Sequence, residues 1–201
     1  ANPRSKAMNR IIFEADWLKK LNDSGIGPTL LHSDDDYLVM EFIEGELICD
    51  FSASAPINEV KAMLREVLIQ CRVMDEMRVI KEEMHRPVKH IIVQRESKTE
   101  SQQNSYQSKK PHPPQIKEAK YNKPFSFDKS SQEATESDHI KPIMIDFERC
   151  RSSERPKNVS QFCQFLTRSN YSELLISRNI KIDKQKLQDA VKGYMESYSQ
   201  G

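Results

Sequence analysis

Two stretches of this 201-residue chain carry side chains suited to chemistry. The first is Lys81-Glu82-Glu83-Met84-His85-Arg86-Pro87-Val88-Lys89-His90, a polar loop that runs straight into apolar Ile91-Ile92-Val93. The second is Ile143-Met144-Ile145-Asp146-Phe147-Glu148, an apolar run that closes on an acid. Polar loop, strand, connection, strand and acid is an order that can bring two acidic or amide side chains to one end of a hairpin. Magnesium takes oxygen ligands and usually shares them with a phosphate, so both must be gripped at one place. The chemistry such an arrangement serves is phosphoryl transfer, where positioning and charge neutralisation do most of the work. Asp146, at the end of its strand, is well placed to hold the metal.

The elements that must position these groups are legible in the apolar spacing. Met8, Ile11, Ile12, Ala15, Leu18 and Leu21 recur at three- and four-residue steps, which predicts a helix over Pro3 to Asn22, ended by Asp-Ser-Gly-Ile-Gly-Pro. Thr29 to His32 and Tyr37 to Ile43 read as two antiparallel strands around an acidic Ser-Asp-Asp-Asp turn. From Ile57, the series Val60, Met63, Leu64, Val67, Leu68, Cys71, Met74, Met77 keeps the helical period for over five turns and predicts the central core helix. Its methionines are core filler in this reading. Val79-Ile80, Ile91 to Val93 and Pro142 to Asp146 are further strands. Val159, Phe162, Cys163, Phe165 and Leu166 mark one late helix, and Leu187, Val191, Tyr194 and Met195 another.

Between the two chemical stretches the composition changes. Arg95 to Lys141 is rich in Ser, Gln, Lys, Glu and Pro, with too few large apolar residues to offset ordering entropy, and is expected to be a disordered insertion. The whole chain carries 31 basic and 30 acidic residues, 37% hydrophobic residues and a mean hydropathy of −0.72. That balance gives no support to a nucleic-acid surface, and no run approaches a membrane span. The four cysteines have neither CxxC spacing nor a His cluster, which argues against structural zinc and a disulfide framework and for a reduced, intracellular setting, cytoplasmic or nuclear.

Five motifs in order carry a resemblance. Asn2-Pro3-Arg4-Ser5 precedes Glu14-Ala15. Then come Gly25-Ile26-Gly27-Pro28, Val39-Met40-Glu41-Phe42-Ile43, Glu83 through His90, and Ile145-Asp146-Phe147-Glu148. Together they resemble the small RIO-like and lipopolysaccharide-kinase-like branch of the protein-kinase superfamily, especially a predicted Ser/Thr kinase family of archaea and fungi. The resemblance covers Asn2 to Glu148. It implies an α+β, kinase-like fold: a partial N-lobe and hinge over residues 1–44, then a reduced, mostly helical C-lobe over 45–201 that contains the insertion at 95–141.

The resemblance also implies roles. Glu14 matches the acid of the helix that orients a phosphate-binding lysine, and the Met40 to Ile43 stretch, with Glu41, Phe42 and Ile43, matches a hinge that binds adenine through its backbone. Glu83 matches the catalytic acid position, where its carboxylate would accept a hydroxyl proton. Asp146 matches the metal ligand, and His90 falls where the family has a metal-binding Asn. His85 joins Glu83 and Glu14 as a catalytic candidate, with a loop-holding role for His85 and Arg86 as the bland reading. The implied cofactors are ATP and magnesium. The implied partner is a protein substrate, with a further partner conceivable at the insertion. The family's glycine-rich loop and phosphate-binding lysine would precede residue 1, and Lys6 is a poor substitute, so the expectation is a truncated N-lobe: a fragment or a degenerate kinase. The alternatives are a catalytically impaired pseudokinase or binding module, and a helical interaction protein.

Overall fold

The computed structural model describes residues 3–95, 140–168 and 170–197, with side chains from residue 10 to 196. The expected disorder within 96–139 lies outside the described residues. The chain is α+β. Its elements run α1 (Pro3–Asn22), β1 (Leu30–Ser33), β2 (Leu38–Met40), β3 (Glu46–Leu47), α2 (Ile48–Ser54), α3 (Ile57–Glu76), β4 (Val79–Lys81), two short 3-10 turns (Glu82–His85 and Pro87–Lys89), β5 (Ile91–Arg95), β6 (Ile140–Met144), β7 (Cys150–Ser152), α4 (Asn158–Arg168), α5 (Asn170–Ser177) and α6 (Lys184–Ser197). Among the described residues no helix is long and apolar enough to cross a membrane.

The central helix is α3. Its stripe of Val60, Met63, Leu64, Val67, Cys71 and Met74 is buried, and it packs against α4, β4 and β6. Burying such side chains contributes roughly 1.5–3 kcal/mol for each large one. Helix α1 contributes Leu18 and Leu21 to the same core, with Ile26 from the turn that follows. That turn is stapled by Asn22, whose amide donates to the Ile26 and Pro28 carbonyls and whose Oδ1 accepts from Leu30 N–H at 2.8 Å. One side chain thus ends the helix and aims the first strand.

Among the described residues the strands form three small sheets. β1 and β2 form an antiparallel hairpin with an irregularity between Leu30 and His32. β3, β5 and β6 form a sheet in that order, with Ile91 opposite Met144 and Arg95 opposite Ile140. β4 pairs antiparallel with β7, Lys81 opposite Cys150. Pro142 is tolerated because β6 is an edge strand among the described residues, and its carbonyl accepts from Gln70 on α3.

The observed elements correct several expected ones. The second strand ends at Met40, where Tyr37 to Ile43 was expected: Glu41 N–H still donates to Thr29 O, and the chain leaves the hairpin from Phe42 onward. The strand before Asp146 ends at Met144, and Arg95, Ile140 and Lys141 belong to paired strands rather than to the excursion. Helices α2 and α5 and strands β3 and β7 have no counterpart in the sequence reading. The four cysteines are free thiols, and Met63 and Met74 are buried core.

Candidate active site

The loop and the acid meet. His90 Nδ1 lies 3.2 Å from Asp146 Oδ2, close but not aligned for a hydrogen bond, and Ile145 N–H donates to the His90 carbonyl at 3.0 Å. The pairing of β5 with β6 causes this: Ile91 opposite Met144 brings His90 opposite Ile145, and Asp146 follows one residue further on, within reach of the imidazole. Asp146 itself has φ of +65°, a left-handed conformation that Asp tolerates better than most residues.

At the centre sits Lys81, the last residue of β4, with a side chain 0% exposed. A buried ammonium must be paired. Its Nζ donates to the Asp146 carbonyl, lies 3.5 Å from Glu83 Oε2, and stands 4.9 Å over the buried Phe147 ring. Its own backbone N–H donates to Asn158 Oδ1 at 2.8 Å, while Asn158 Nδ2 donates to Val79 O and to Asp75 Oδ1. The Asp75 carboxylate further accepts from the Asn158 and Val159 N–H groups and from Tyr194 OH. A closed polar network from α3, α4 and α6 therefore fixes the strand that carries the lysine.

Sequence reasoning gave Lys81 no role. Its sequence context, a lysine closing a short apolar run before two acids, is equally that of an exposed strand end, so no signal marks its burial.

Each expected site residue has a definite position. Glu83 is in the first 3-10 turn, mostly buried, between Lys81 and Arg149, whose Nε is 3.8 Å from Glu83 Oε1. Glu14 reaches across from α1, and its Oε1 accepts the Phe147 N–H at 3.1 Å. Burial lifts the Glu14 pKa above its ordinary value, partly offset by that hydrogen bond, with the charges of Asp146 and Glu148 adding to the rise. His90 is pushed below its ordinary value, first by burial and then by the charge of Lys81, with Asp146 opposing. His85 is exposed, and its Nδ1 is 2.8 Å from the Glu82 carbonyl, a contact within its own turn. Glu41 extends the hairpin ladder: its N–H donates to Thr29 O, and its carboxylate accepts from Thr29 N and Oγ1. Phe42 is 87% exposed and Ile43 half-buried. Structure thus gathers Glu14, Glu83, His90 and Asp146 around Lys81, and leaves His85 outside that group.

Among the described residues no three His, Cys, Asp or Glu side chains converge as a protein-only metal cage. Magnesium seldom needs one, because it is held by one or two carboxylates together with phosphate oxygens and water. Asp146, its side chain 40% exposed, fits that requirement. His90 fits it less well, since a hard ion prefers oxygen and the imidazole faces the Asp146 carboxylate. A surface cleft beside the end of α1, lined by Lys19, Asn22, Asp23 and residues 29–33, contains none of these groups. Comparisons with protein-family models, curated proteins and solved structures found no match.

Proposed function

We propose that the chain is a protein-kinase-like unit that binds magnesium-ATP and transfers its γ-phosphoryl group to a Ser or Thr hydroxyl of a protein. The observation that carries this reading is the meeting of Asp146 with Glu83, His90 and Lys81, from segments far apart in sequence. Asp146 would hold magnesium against the phosphate oxygens, and the bound ion supplies charge neutralisation there. Glu83 takes the proton of the acceptor hydroxyl as its oxygen bonds to the γ-phosphorus and the bond to ADP breaks. Such a base contributes roughly a hundred- to ten-thousand-fold in rate. His90 stays beside Asp146, the backbone at Glu41, Phe42 and Ile43 takes the adenine, and four reduced thiols suit an intracellular setting.

Thermal shift with magnesium-ATP tests this directly. At a hundred times Kd the nucleotide should add about 2.7 kcal/mol of stability. Asp146→Ala should remove the magnesium-dependent part, and Glu83→Gln should keep binding but lose transfer. Binding that is unchanged in Asp146→Ala counts against the site. The second reading, a nucleotide-binding pseudokinase, is favoured by one observation: an imidazole, not an oxygen donor, stands beside Asp146. It predicts the stability gain with no transfer in any variant.

A further inference from the structure

The peptide bond between Asp146 and Phe147 is gripped from both ends. Its carbonyl accepts from the Lys81 ammonium, and its N–H donates to the Glu14 carboxylate at 3.1 Å. The cation comes from β4 and the anion from α1. A peptide unit is a dipole, negative at oxygen and positive at N–H, so here each end faces the opposite charge. Turning that peptide over would set oxygen against carboxylate and N–H against ammonium, two repulsive contacts in a poorly solvated place.

The surroundings leave little room for relaxation. The peptide on the other side of Ile145 is tied down by Ile145 N–H donating to His90 O. Below, the Phe147 ring is fully buried, underlies Lys81 Nζ, and abuts Gly27 closely. Asp146 sits between these fixed peptides with its φ of +65°.

The geometry points to Glu14 and Lys81 as a pair of positioning residues that lock the Asp146–Phe147 peptide in one orientation and so hold the Asp146 carboxylate beside His90. This assigns Glu14 a partner within the site, the backbone of the metal-binding segment, in place of a phosphate-binding lysine. The purpose of the lock, aiming Asp146 at magnesium, rests on the function proposed above, whereas the lock itself does not.

Amide hydrogen exchange on the full chain without nucleotide tests it, with the Val67 amide of α3 as internal reference. Glu14→Ala should speed exchange at Phe147 by roughly ten- to a hundredfold, the loss of a charge-assisted hydrogen bond. Lys81→Met should speed the same amide although Lys81 does not touch it, and the double variant should add little beyond either single change. Lys81→Arg, which keeps the charge, should restore slow exchange. An unchanged Phe147 rate in Lys81→Met, or fully additive effects, overturns the proposal. Should the Val67 reference collapse as well, Lys81→Gln provides the same comparison with a smaller loss of packing. A lost lock with no magnesium-ATP binding in the parent chain would leave this inference standing and sink the phosphotransferase reading. The converse result would do the opposite.

Discussion

Gly27 shows how tightly the site is supported at the scale of one residue. It has φ of +81°, and a Cβ there would lie 2.8 Å from Phe147 Cε2 and 3.0 Å from Leu18 Cδ2. Both neighbours are fully buried, so neither can move cheaply. Gly27→Ala should therefore cost about 2–4 kcal/mol from backbone strain plus overpacking. Gly25, with φ of +71° but open space around it, should cost only about 1–2 kcal/mol on the same change. Urea melts of the two variants check the difference, and equal losses would mean that the contact with Phe147 does not matter. The thiols give a second test. Burial pushes Cys150 and Cys163 up to about 12 from an ordinary 9.0. Above pH 9 the unfolded chain releases those protons while the native chain keeps them, so native stability falls as pH rises from 9 toward 12. Each thiol contributes a slope of up to about 1.4 kcal/mol per pH unit. Replacing both by Ala should flatten the alkaline part of the stability curve, read as urea midpoints at pH 8 and pH 10. At this scale the meeting of Asp146 with the His90 loop was legible, because a polar residue opening one apolar strand and an acid following a later one are visible as types in order. Lys81 was not, because burial of a charge is a tertiary fact: nothing in Val-Ile-Lys-Glu-Glu says that the lysine points inward to a carbonyl sixty-five residues on.

Among elements, the strand bearing Lys81 depends on helices. Asn158 opens α4 and at the same time bridges Val79 O, Lys81 N–H and Asp75. Asn158→Ala would strand a buried N–H, a buried carbonyl and one carboxylate contact, each worth roughly 1–3 kcal/mol when left unsatisfied. The expected loss is at least about 2 kcal/mol in a denaturant melt, with β4 amides losing protection alongside. A loss confined to α4 would argue that the strand is held by its pairing with β7 alone. Long amphipathic helices such as α3 were read correctly because their period repeats for several turns. Helices α2 and α5 were not, since seven or eight residues give a stripe of only two or three positions: Ile48, Phe51 and Ser52 in one, Tyr171 and Leu175 in the other. Strand β7 is Cys150-Arg151-Ser152, with no β-branched or aromatic residue; it is a strand because β4 needs a partner for its backbone groups.

For the molecule as a whole, the register of β5 and β6 matters most. Arg95 and Ile140, the last described residues on either side of 96–139, are directly opposite each other in the ladder. Arg95 is further fixed by an ion pair with Glu59 of α3 and by stacking over the Phe51 ring. Replacing 96–139 by Asn-Gly would join the strands through a two-residue turn of the kind hairpins favour. Each halving of a connection returns roughly 0.6 kcal/mol of closure entropy, so the shortened protein should melt at the same temperature or higher. A clear fall in Tm would show that 96–139 contributes contacts to the fold. The compositional boundary near residue 95 was visible in the sequence, while the exact ends were not, because a strand continues for as long as it has a partner, whatever its composition.

That register also divides the molecule's chemistry between two lengths of chain. Glu14, Lys81, Glu83 and His90 precede the excursion and Asp146 follows it, yet all converge through side-by-side strands and the contacts of α3 with α4. A protease cut within 96–139 would thus sever the covalent link while leaving every described contact of the cluster intact. Two separately expressed pieces, one ending after Arg95 and one beginning before Ile140, should reassemble on mixing, so that the cluster would exist only where both are made.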